Sequence, residues 1–197
     1  MRRFAVMAAG LAAVAVAGCS SSGSGSSSSS ASSSAPSSPT GTITVFAASS
    51  LLGTFTQLGK QFDAAHPGDT VKFSFGPSSG LSTQITSGAP ADVFASASTK
   101  TMDALVTAGD AASPQNFAKN IMEVAVPPNN PGKVASVTDL AKKSVKVALC
   151  QPQVPCGVVA AEVFKNASIT VKPVTLQPDV KSVLTQVETG NIDAGMV

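Results

Sequence analysis

Ile43-Thr44-Val45-Phe46-Ala47-Ala48-Ser49-Ser50-Leu51 is the stretch on which the fold turns. Its opening, from Ile43 to Ala47, is a short apolar run with β-branched side chains and reads as a strand. Beyond the small junction Ala48-Ser49-Ser50, apolar residues recur at Leu51, Phe55, Leu58 and Phe62. That is the spacing of one helix face, and it predicts a helix over residues 51–65. Ser50 stands where an N-cap belongs, so it can cap this helix and aim both its hydroxyl and the first free N–H groups outward.

The same rhythm runs downstream. Residues 71–75 alternate with lysine and serine as a second strand, and Pro77-Ser78-Ser79-Gly80 opens a short helix over 81–86. A strand over 93–97, a helix over 102–108 and a strand over 121–126 follow, the last stopped by Pro127-Pro128-Asn129-Asn130-Pro131-Gly132. The second half repeats the pattern: a short capped helix at 138–141, a strand at 145–149, a helix at 158–164, a strand at 171–176, a helix at 180–189, and a strand starting at 193. Such alternation predicts an α/β fold with helices on both faces of sheets that contain parallel strands. The chain closes on Gly195-Met196-Val197, inside an apolar run with neither turn nor cap, which reads as a truncated reading frame or fragment with the C-terminal part of the fold missing.

Composition narrows the classes of function. The chain has 197 residues, and residues 20–39 hold fourteen serines and no large apolar side chain. That tract buries too little surface to offset the entropy of ordering it, whereas the remainder from Thr40 onward is long enough for a real core. The net charge of +2 comes from Arg2 and Arg3, the only arginines; from Thr40 onward eleven lysines balance eleven carboxylates, with no Trp or Tyr. A nucleic-acid surface of basic residues and stacking aromatics is thereby disfavoured, and a guanidinium clamp on phosphate is excluded from the folded part.

The N-terminus reads as an export signal over residues 1–18. Met1-Arg2-Arg3 is the positive start, residues 4–17 the apolar run, and Val16-Ala17-Gly18-Cys19 a small-residue cleavage site ending in cysteine. It resembles a bacterial lipoprotein signal, which implies lipidation of Cys19 and anchoring at the extracytoplasmic face of the cell membrane. Residues 19–39 then serve as a serine-rich disordered tether with a reach on the order of 25 Å.

Two further cysteines, Cys150 and Cys156, flank Gln-Pro-Gln-Val-Pro. In an oxidising compartment a disulfide closing this loop is the leading reading, with two free thiols as the alternative. Zinc is disfavoured because the only histidine, His66, sits apart at the end of a helix stopped by Pro67. No metal held directly by side chains is expected.

Chemistry is sought at three junctions where a strand gives way to a helix: Ala47 to Leu51, Phe75 to Gly80, and Val154 to Gly157. Each places small polar or backbone donors at a helix start, and several converging on one point could hold a small anion with no cationic side chain. Open parallel sheets bind their ligands beyond the carboxyl ends of their strands, where these loops lie. A serine nucleophile is disfavoured, since no Gly-x-Ser-x-Gly elbow is present and His66 has no partner. The chain is therefore read as a binding protein and not as an enzyme.

The ensemble of motifs resembles one family. Ile43 to Leu51, Ser78-Ser79-Gly80-Leu81 with Gln84-Ile85, and Ser87-Gly88-Ala89-Pro90-Ala91-Asp92-Val93-Phe94 are similar to the molybdate-binding proteins of bacterial ABC transporters. Val154-Pro155-Cys156-Gly157, Asp179-Val180-Lys181 and Gly190-Asn191-Ile192-Asp193-Ala194-Gly195 continue the likeness in order. The resemblance implies a type II periplasmic-binding-protein fold: two α/β lobes, here residues 40–120 and 121–197, each with a mixed sheet, and a ligand cleft between them. It implies an oxyanion held by the hydroxyls of Ser50 and Ser78 and by the backbone N–H groups of Cys156 and Val180, with the family's tyrosine falling just after Val197. The ligand implied is molybdate, with tungstate alongside, and no cofactor. The partners implied are a membrane permease, with the protein itself a monomer. Sulfate or another small oxyanion is the alternative ligand, and a non-functional remnant the alternative status.

Such a site suits a fully ionised tetrahedral dianion, which has acceptor oxygens and no proton to give. A protonated phosphate would leave donors unpaired at a cost on the order of 1–3 kcal/mol.

Overall fold

The computed structural model describes residues 40–197; the signal at 1–18, the tether at 19–39 and Cys19 lie outside the described residues. Two sheets organise the chain. The first holds β1 (Thr42–Ala48), β2 (Thr70–Gly76) and β3 (Val93–Ala95) in the order β2-β1-β3, all parallel. The second holds β4 (Val124–Ala125), β5 (Val147–Cys150), β6 (Thr175–Gln177) and β7 (Ala194–Met196) in the order β4-β7-β5-β6, with β4 antiparallel to β7 and the other pairs parallel. A mixed sheet is thus found only in the second half. In the first half every strand reaches the next through a helix, α1 (Leu52–Ala65) or α2 (Ser78–Thr86), and such crossovers feed parallel neighbours. Three more helices complete the set: α3 (Thr99–Ala108), α4 (Pro155–Asn166) and α5 (Val180–Glu188).

The two sheets repeat one plan. β1 lies between β2 and β3, as β5 lies between β6 and β7. In each half an aspartate just before the third strand of the plan holds the central one at the residue before their pairing begins. Asp92 accepts the Thr44 N–H at 2.7 Å and donates its own N–H to the Thr44 carbonyl at 2.9 Å. Asp193 does the same with Lys146, at 2.8 Å for both bonds. Short polar side chains thus pair the backbone groups that a strand end leaves open.

Strand alternation sends β5 into two cores. Val147 and Leu149 pack with Leu140, Phe164 and Met196 on one face, while Ala148 and Cys150 pack with Val154, Val183, Val187 and Ile192 on the other. Burial on both faces is what helices on both sides of a sheet require. In the first sheet Val45, Ala47 and Ala95 pack with Phe55, Phe73 and Phe75.

Several elements differ from the sequence expectation. β4 spans two residues where 121–126 was expected; it pairs antiparallel with β7, Val124 opposite Met196 and Ala125 opposite Gly195, and Ile121 is 77% exposed. β6 covers Thr175–Gln177 where 171–176 was expected, since Pro173 has no N–H to give a ladder and pairing takes hold only from the Val174 N–H, which donates to the Val147 carbonyl. β3 stops at Ala95, two residues short of the expected 97. Ser50 is not an N-cap: the chain enters α1 through a 3-10 turn, Ser49–Leu51, and no side chain caps either element. Leu51, at the cap position, already has helical backbone angles, so the extended geometry that lets a cap side chain reach back is missing.

Away from the strand ends, Ser136 and Asp139 form a capping box on the turn Val137–Ala141. The Lys142 ammonium, 2.6 Å from the Asp139 carboxylate, and the N–H groups of Ala135 and Ser136 hold that carboxyl well below the usual carboxylate range.

Candidate functional site

Strand ends from both sheets meet in one hollow. Ala48 ends β1, with Ser49 and Ser50 after it; Gly76 ends β2, with Pro77 and Ser78 after it; Ala97 follows β3; Val154, Pro155 and Cys156 follow β5; Asp179 and Val180 follow β6. The hollow measures about 40 Å³, far below the several hundred Å³ of an organic-ligand pocket, so it suits a solute of a few heavy atoms. All four residues expected to bind, Ser50, Ser78, Cys156 and Val180, line it.

Each donor is there for a local reason. Ser78 is the first residue of α2 and is 1% exposed. Its Oγ accepts the N–H of Ala97 at 3.0 Å, so its own hydroxyl proton remains for an acceptor in the hollow. Ser50, inside the 3-10 turn, is exposed and uses its hydroxyl in no cap. At α4 the first residue is Pro155, which has no N–H, so the first donor of that helix belongs to Cys156. At α5 the cap is Asp179, whose carboxylate accepts the Ser182 N–H at 2.9 Å, leaving the earlier N–H of Val180 without a partner inside its helix.

No lysine lines the hollow, and Asp179 is its only ionisable side chain among the described residues. What the site offers is therefore N–H and O–H dipoles together with the positive ends of α2, α4 and α5. Such a set grips an anion rich in acceptor oxygens and gives a proton-bearing solute one carboxylate as its acceptor.

Cys150, the last residue of β5, and Cys156, on the first turn of α4, are joined as a disulfide. Gly157 explains how closely this loop is drawn. A Cβ at that position would lie 2.0 Å from the Gln151 carbonyl oxygen, so only glycine lets α4 start against the backbone leaving β5.

The sequence reading did not single out Ala97, whose N–H orients the Ser78 hydroxyl. Reading 93–97 as continuous strand hid it; the polar run Ser96-Ala97-Ser98 before α3 was the available signal.

A larger cleft, about 920 Å³, runs along the free edge of β3 beneath residues 110–120 and also touches Ser50. Asp92, Asp103 and Asp110 line it against a single cation among the described residues, Lys119. Three carboxylates make it the poorer place for an anion, despite its size.

The family model for "Bacterial extracellular solute-binding protein" matches residues 43–197. The molybdate-binding protein ModA of Mycobacterium tuberculosis (strain ATCC 25618 / H37Rv) is 46% identical over 166 residues, covering 82% of this chain and 64% of that protein. The molybdate-binding protein ModA of Escherichia coli (strain K12) is 36% identical over 169 residues, covering 80% of this chain and 65% of that one. Among solved structures, the periplasmic molybdate-binding protein of Azotobacter vinelandii superposes with a TM-score of 0.59 at 26% identity, over 79% of this chain and 70% of that one. This chain therefore spans a little under two thirds of the length of the curated relatives it matches.

Proposed function

This chain belongs to the bacterial extracellular solute-binding protein family, and on that premise we propose that it captures molybdate, and with it tungstate, for a bacterial ABC importer. The observation that carries the reading is the meeting of Ser50, Ser78, Cys156 and Val180 in one small hollow without a cationic side chain. The ligand class named for the mycobacterial and Escherichia coli relatives agrees with it.

In this reading the Ser50 and Ser78 hydroxyls and the Cys156 and Val180 N–H groups each donate to one of the four oxygens. The dianion's charge is met by helix dipoles and not by a counter-ion. Two donors come from the first half of the chain and two from the second, so the ligand draws residues 40–120 and 121–197 together as lobes, and a membrane permease receives the closed form. The protein acts as a monomer and carries solute without transforming it. Lipid on Cys19 holds it to the extracytoplasmic face of the membrane while residues 19–39 give it reach.

Thermal unfolding of the protein with molybdate, tungstate, sulfate or phosphate tests the ligand. At a thousandfold excess over its dissociation constant the true ligand stabilises by about 4 kcal/mol. Molybdate and tungstate are expected to raise Tm while phosphate leaves it unmoved. Equal shifts from sulfate and molybdate overturn the assignment.

A further inference from the structure

We propose that the Cys150–Cys156 disulfide positions the oxyanion site, Cys150 acting through Cys156, so that anion binding and the redox state of this pair are thermodynamically linked. The proposal rests on the oxyanion reading above and goes beyond it. Cys156 carries both a half-cystine sulfur and the first backbone donor of α4, since Pro155 before it has no N–H. The other sulfur belongs to Cys150, 3% exposed and packed with Val154, Val183 and Val187 in the core of the second sheet. The bond therefore ties a donor on the wall of the hollow to the buried core of its half.

The loop between the two cysteines is otherwise held by the buried Val154 side chain and by two backbone bonds, Gln151 N–H to the Gln177 carbonyl and Val154 N–H to the Gln151 carbonyl. Opening the disulfide frees the first turn of α4 to drift from the end of β5, and the Cys156 N–H loses its aim.

The chemistry is thiol–disulfide exchange with an external thiol. A thiolate attacks the half-buried Cys156 sulfur and expels Cys150 as a thiolate; a second thiolate releases Cys156. Two electrons and two protons pass to the protein, and the two external thiols leave as a disulfide.

If the oxidised form binds the anion tenfold more tightly, the anion must in return stabilise the oxidised form tenfold. The midpoint potential of the pair then falls by about 30 mV. Two measurements test this. In glutathione redox buffers, the fraction of oxidised wild-type protein is followed by thiol alkylation with and without saturating molybdate; calorimetry then compares molybdate affinity of the oxidised protein with that of the Cys150→Ala/Cys156→Ala variant. A midpoint more negative by about 30 mV with molybdate, and about tenfold weaker binding by the variant, are expected. A purely structural crosslink would leave the midpoint indifferent to molybdate. Molybdate binding by the oxidised protein with an unmoved midpoint overturns the disulfide's role alone, even if the variant fails to fold. No molybdate binding by the oxidised protein overturns the oxyanion reading itself, and this proposal with it.

Discussion

At the scale of single residues, Ser50 and Ser78 carry the same chemical group in different settings. Ser50 is exposed and caps nothing, so on the proposed reading Ser50→Ala should cost a ligand contact and little else. Its molybdate affinity should fall by at least about 1 kcal/mol while the unfolding midpoint stays put. Ser78 is buried and accepts the Ala97 N–H, so Ser78→Ala should weaken binding and also lower folding stability by about 1 kcal/mol or more. Calorimetric titration beside chemical denaturation separates the two; an unchanged affinity for Ser50→Ala would remove that serine from the site. The polar junction at Ser50 was legible in the sequence because serine pairs at the end of an apolar run are conspicuous. Its role was not, because capping and ligand contact demand the same side chain and differ only in where the following turn sends it. The Ser78–Ala97 bond spans nineteen positions, so no local pattern pairs the two residues.

At the scale of elements, the start of α4 is restrained twice, by the disulfide and by backbone packing. A seven-residue disulfide loop restricts the unfolded chain only modestly, by about 2 kcal/mol in the chain-entropy estimate. Backbone packing at Gly157 adds a second restraint. Gly157→Ala forces the new methyl against the Gln151 carbonyl, and the helix start must move to make room. Denaturation should show a loss on the order of 1–3 kcal/mol, the usual toll of overpacking, together with weaker anion binding through a displaced Cys156 N–H. Full affinity in this variant would mean that the α4 start takes no part. Helices α1, α4 and α5 were legible to within a few residues because apolar periodicity and breakers survive any context. The short strands were not: β6 starts only where Val174, past Pro173, can donate to the Val147 carbonyl, and that is decided by pairing across the sheet.

At the scale of the whole molecule, the site is shared between two sheets that repeat one plan, the first supplying the 3-10 turn Ser49–Leu51 and the start of α2, the second the starts of α4 and α5. Because the hollow holds no lysine, attraction comes from short-range dipoles and not from a long-range field. Raising sodium chloride from about 50 to 500 mM, which shortens the Debye length severalfold, should therefore change the molybdate dissociation constant by less than about threefold. A steep loss of affinity with salt, measured by competition titration, would point to a cation at the site and against the neutral-donor reading.

The sequence alone determined the α/β alternation, the helix-start character of the junctions and the absence of arginine from the folded part, since each is written in local periodicity or in composition. Only the tertiary structure decided that these junctions converge, that Ser50 leaves its helix uncapped, and that the Ser78 hydroxyl is turned by Ala97. These depend on which strand ends come to lie side by side, and that is set by pairing between residues far apart in the chain.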